Sequence, residues 1–94
     1  MKFTAEQTLL INTYELTIKL CNKKEKASVI KTIQVLINAL NFENDAAKEI
    51  SEGLLRLYLY CQEQIRLEDF ERPILVLKEI KESFEKAFEN IKEN

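Results

Sequence analysis

Two thiols, three phenols and a set of carboxylates are the side chains of this sequence with chemistry to offer. The thiols are Cys21 and Cys61, forty residues apart and with no second cysteine near either. That spacing matches neither a metal-ligand set nor a redox pair. Both fall on apolar stripes of the surrounding sequence, which reads as two small buried residues with free thiols. There is no histidine. Its absence removes imidazole acid–base chemistry, histidine-based triads and the Glu-x-x-His di-metal sites of helical bundles. No glycine-rich phosphate loop occurs. The acids Glu49, Glu52, Glu63, Glu68, Asp69 and Glu71 are spaced as a solvated helix face would space them. The expectation is a protein that is not an enzyme and needs no metal or cofactor.

The phenols Tyr14, Tyr58 and Tyr60 gain meaning only from the elements that carry them. The 94 residues hold a single Gly and a single Pro, while 46% are hydrophobic and 32% charged. So few turn-formers argue against a strand-rich fold. Four helices can be read, over about 4–22, 25–41, 46–66 and 73–92, in one domain. Thr4-Ala5-Glu6-Gln7 fits a capping box at the first start. Asn44 or Asp45 caps the third helix, and Pro73 suits the first turn of the fourth. Gly53 sits inside the third helix, where it is unfavourable by roughly 1 kcal/mol against Ala; close packing of a neighbouring helix is the expected reason. Short connections imply antiparallel neighbours, hence an all-α, antiparallel up-down four-helix bundle.

Stepping at about 100° per residue assigns the faces. The second helix has a core stripe of Val29, Ile30, Ile33, Leu36, Ile37 and Leu40. The third has Ala47, Ile50, Leu54, Leu57, Tyr58, Cys61 and Ile65, and the fourth has Leu77, Ile80, Phe84, Phe88 and Ile91. The first helix is apolar on nearly all sides, which places it at the centre of the packing. Val35, Ala39, Leu55 and Leu59 project off the core stripes. Several apolar residues left exposed in a row are a liability unless something covers them. The alternatives are a binding surface for another polypeptide, a homodimer interface in a structural or assembly protein without a client, or a bundle whose core is wider than these stripes.

The charge is −2 with acids and bases interleaved, so no basic track for nucleic acid exists. No segment has the apolar length of a membrane-spanning helix. The first residues lack the apolar core of a signal peptide, and the expected location is the cytoplasm. Lys23, Lys24 and Lys26, the only basic cluster, suit a solvated turn at a helix C-terminus.

Several short motifs resemble those of one family. The first helix carries Leu9-Leu10-Ile11-Asn12-Thr13-Tyr14-Glu15-Leu16, and the second ends in Leu36-Ile37-Asn38-Ala39-Leu40-Asn41. The third carries Glu49-Ile50, then Leu57-Tyr58-Leu59-Tyr60, and the fourth carries the stretch from Ile74 to Phe88. Together they resemble the FliS-like flagellar secretion chaperones, in a shortened form. The resemblance implies a cytosolic export chaperone. It would bind the disordered C-terminal region of flagellin, or of a related secreted filament protein, as helical segments. It would thereby prevent premature polymerisation and assist export, with an export-gate component or a co-chaperone as further partners. Tyr14 and Tyr60 match motif positions. They are expected at the margins of a client surface centred on Val35, Ala39, Leu55 and Leu59, with a core position for Tyr14 equally open.

Overall fold

The computed structural model describes the backbone of residues 3–93 and the side chains of residues 3–90. Among these residues the regular structure is all helical: α1 (Ala5–Asn22), α2 (Lys26–Asn38), α3 (Asp45–Arg66) and α4 (Glu71–Glu93). Each start has a local cause. Thr4 and Gln7 form the reciprocal capping box of α1. The Asn44 side chain accepts the Ala47 N–H at the start of α3. The Asp69 carboxylate accepts the N–H groups of Glu71 and Arg72, so α4 begins two residues before Pro73, which sits buried in its first turn. Both tight turns close with a residue at positive φ, Lys24 after α1 and Glu68 after α3. Each is followed by an N–H reaching back five residues, Glu25 to Leu20 and Asp69 to Gln64, the pattern that satisfies the last carbonyls of a helix.

The second helix is shorter than its periodicity suggests. It stops at Asn38 instead of continuing to residue 41. The Asn41 side chain accepts the Glu43 N–H, and the Asn41 carbonyl is taken by the Ser51 hydroxyl at 2.6 Å. Asparagine bonding of this kind competes with the helical ladder. The residues that would have formed another helical turn become an irregular strap ending at Asn44.

Consecutive helices pack against one another, and α4 closes the ring against α1. The first helix is therefore not central. It touches α2 and α4 and leaves Leu9 and Leu16 exposed. No Cα of α1 lies within 8 Å of any Cα of α3. The core is filled by Tyr14, Cys21, Val29, Ile33, Leu36, Tyr58, Cys61, Ile65 and Leu77, with Phe70 and Ile80 at its edge. The α2 stripe lies as the sequence indicates, and so do Leu77 and Ile80 of α4; Ile91 lies outside the side chains described.

The α3 stripe is turned. Ile50 is 64% exposed and Leu57 is 40% exposed, while the polar Ser51 and Gln62 are buried. Gln62 Nε2 donates to the Ile30 carbonyl and to Gln34 Oε1, and Ser51 bonds to Asn41. These bonds to α2 and its strap offset the desolvation of the two polar side chains and rotate α3 about its axis.

Gly53 does not mark close packing: a Cβ built there meets nothing within 4 Å. Gly53→Ala is accordingly expected to stabilise the fold by about 1 kcal/mol, because it removes backbone entropy from the unfolded chain without a clash. Urea unfolding followed by circular dichroism checks this. A lowered midpoint would mean that the fold itself needs the glycine, despite the open space around it.

Candidate functional site

The early end of α2 leaves an opening where it meets the starts of α1 and α3. A cleft of about 240 Å³ enters there, between Leu10, Leu36, Leu40, Ala47, Ile50 and Leu54, with Tyr58 and Phe84 also in its lining. Two grooves extend it. One, of about 450 Å³, runs between α1 and α2 over Leu9, Leu10, Thr13, Val35, Leu36 and Ala39, with Glu6 at its end. The other, of about 330 Å³, runs between α3 and α4 over Ile50, Leu54, Ile80, Ser83, Phe84 and Ala87. The first groove shares Leu10, Leu36 and Ala39 with the cleft, and the second shares Ile50, Leu54 and Phe84. The three are therefore one apolar strip around one end of the molecule. The polar groups in the cleft wall, Ser51 and Asn41, bond to each other and to the strap. The cleft part of the strip therefore presents mainly apolar side chains.

The residues expected to form the client surface divide. Val35, 56% exposed, and Ala39 lie in the α1–α2 groove. Leu55 is half-buried and Leu59 exposed. Both share the side of α3 that carries Gln62, by the step of about 100° per residue, and this side faces α2 through the Gln62 bonds. Neither lines the strip, and nor does the exposed Tyr60. Tyr14 is fully buried and belongs to no surface margin. Its ring is long enough for its hydroxyl to meet that of Tyr58 across the core, and the two hydroxyls share a hydrogen bond. Sequence reading missed Leu9, because an all-round apolar α1 seemed to require a central position. It missed Ile50 because Ile50 falls in register with Leu54.

An aromatic series backs the strip. Tyr14 lies 6.4 Å from Tyr58 and 6.0 Å from Phe84, Phe84 stacks on Phe88 at 5.7 Å, and Phe3 meets Phe88 edge-on at 5.9 Å. Burial raises the pKa of both Tyr14 and Tyr58 above the ordinary phenol value. Burial likewise pushes the Cys21 thiol up to about 11 and, with the Cys21 charge adding to it, the Cys61 thiol up to about 12. Both thiols are free and buried, and thiols held this far above neutrality carry very little of the reactive thiolate at pH 7. They sit on α1 and α3, whose Cα atoms stay more than 8 Å apart, beyond the reach of a disulfide without backbone movement. Among the described residues, no group of three or more potential metal ligands occurs, and no helix is long and apolar enough to cross a membrane. What the arrangement offers is shaped apolar surface. No family model, no curated protein and no solved structure matches this chain, so the functional reading rests on the grooves and on the sequence motifs.

Proposed function

We propose that this chain is a non-catalytic binding module that holds amphipathic helical segments of another polypeptide. The observation that carries the proposal is the continuous apolar strip joining the α1–α2 groove, the end cleft and the α3–α4 groove. Helical segments dock in such grooves through apolar anchors at i, i+3, i+4 and i+7. A client that is disordered when free spends part of its interaction energy on ordering, so it requires a long surface. A strip that wraps one end of the molecule meets that requirement.

The motif resemblance gives this reading its biology: an export chaperone in the cytoplasm whose client is flagellin or a related secreted filament protein. Holding the client's C-terminal segments keeps it from polymerising before export. In this reading the helices form an antiparallel up-down bundle. The pairs Lys26–Glu68, Gln62–Ile30 and Ser51–Asn41 support that, since they step in opposite directions along α2 and α3. The pairs Glu15–Lys81 and Phe3–Phe88 do the same for α1 and α4.

The test titrates the protein with a peptide from the disordered C-terminal region of a flagellin, following circular dichroism and solution mass together. The expected result is a saturable one-to-one complex with a gain in helicity beyond the sum of the parts. No complex, with a protein mass that doubles as concentration rises, would overturn the proposal in favour of a homodimer that buries the strip between two copies.

A further inference from the structure

Gly53 packs against nothing in its own bundle, because a Cβ there would enter open space. A glycine inside a helix is less favourable than alanine, so the fold gains nothing by keeping it. Its neighbours on the outer face of α3 are also left without cover: Ile50 is 64% exposed, Leu57 40% and Tyr60 39%. Ile50, Gly53, Leu57 and Tyr60 follow the alternating steps of three and four residues that mark a helix-pairing seam. In such a seam each side chain of the facing helix enters a hole made by four neighbours on the helix surface. Ile50, Gly53, Leu54 and Leu57 make one such hole, and the glycine is its missing wall. Ile50 and Leu54 also line the α3–α4 groove, so the hole opens beside the apolar strip.

We infer that the outer face of α3 is a docking seam for a helix of another polypeptide, which seats a large apolar side chain over Gly53. The inference rests on the binding role proposed above and sets one client helix along α3. A glycine lets a neighbour approach the backbone more closely than any other residue does, so the hole takes a side chain of leucine or phenylalanine size in full contact. The charges beside the seam decide which helix fits. Glu49, Arg56 and Glu63 stand seven residues apart along one flank, by the step of about 100° per residue. Glu49 and Arg56 pair with no other charge among the described residues, and Glu63 reaches only Arg66 of its own helix, at 3.5 Å. A second copy of this chain is a poor occupant. Two antiparallel α3 helices meeting at Gly53 and Leu57 would set Arg56 against Arg56 and Glu49 against Glu63, which opposes like charges throughout. The helix that fits carries an acid opposite Arg56 and bases opposite Glu49 and Glu63.

The test uses a synthetic helix with leucines at alternating steps of three and four residues, and with lysine, glutamate and lysine seven residues apart on one flank. It is expected to bind the protein one to one. Gly53→Ala should weaken that binding about tenfold, because the added methyl fills the hole, while it raises the urea midpoint. A glycine with a purely structural role would not move affinity and stability in opposite directions. A peptide with the flank changed to glutamate, lysine and glutamate should bind the unaltered protein about fivefold more weakly at low salt. That difference should vanish in about 1 M salt, where the screening length is near 3 Å. Binding that Gly53→Ala leaves unchanged overturns the inference while the docking role stands. A solution mass that doubles with concentration, and stays single in Gly53→Ala, makes the seam a contact between copies and overturns it too. No binding of any peptide removes the docking role and the inference together.

Discussion

Raising the pH to about 11 is expected to remove roughly 5 kcal/mol of folding stability and to bring the protein to its unfolding transition. The cause is the pair of thiols sealed in the core. Cys21 and Cys61 have ordinary values of 9.0 and folded values of about 11 and about 12. A group whose folded pKa is raised contributes its full stability below the unfolded pKa and loses it as pH rises through the folded one. Here the window opens near pH 9. Above it the unfolded chain releases two protons that the folded chain retains, and each costs about 1.4 kcal/mol per pH unit. Tyr14 and Tyr58, also raised by burial, add to the loss once free phenols ionise near pH 10. A domain of this size has on the order of 5–14 kcal/mol in total. Urea midpoints measured between about pH 8 and 11 should therefore fall steeply from about pH 9. The double variant Cys21→Ala with Cys61→Ala should start lower, because it leaves small cavities, yet lose less between pH 9 and 10. A flat stability profile across this range would mean that the thiols are far more accessible than their burial indicates.

What could be read from the sequence follows from which forces act locally. The capping box at Thr4, the Asn44 cap and the α2 stripe depend on neighbours in the chain, and they appear where the sequence puts them. The rotation of α3 was not legible, because its cause is tertiary. Ser51 and Gln62 look like surface residues until the Asn41 and Ile30 carbonyls are brought to them. Once α3 turns to make those bonds, Ile50 and Leu57 must face outward. Tyr14 shows the same limit. The sequence left a surface margin and a core position equally open for it, and what decides for the core is a buried partner for its hydroxyl in Tyr58, forty-four residues away. The surplus of apolar surface was visible as composition and periodicity. Its shape was not, since the strip exists only because α2 stops at Asn38 and α4 closes on α1. Val35 and Ala39 were found because they oppose the α2 core stripe; Leu9 became a wall only when α1 lay beside α2.

Ile33→Asp is expected to unfold the chain, whereas Val35→Asp, two residues along the same helix, leaves it folded and weakens client binding by about 2–4 kcal/mol. Ile33 is fully buried among the helices and Val35 is 56% exposed in the α1–α2 groove. At residue 33 a carboxylate would lose its water with no partner prepared for it, a cost of several kcal/mol on top of the lost apolar contacts. That is comparable with the whole stability of a domain this small. At residue 35 the free protein keeps the new charge hydrated. The cost arises only on binding, when a leucine-type anchor of the client would cover it. Leu59→Asp completes the set: Leu59 is 50% exposed but lies outside the strip, so this variant should fold and bind the flagellin peptide normally. Melting temperature and peptide affinity measured on the three variants separate core, groove and plain surface. Normal binding by Val35→Asp would show that the client avoids the α1–α2 groove. Loss of binding by a folded Leu59→Asp would move the client to the side of α3 that faces α2, where Leu55 and Leu59 share a face with Gln62.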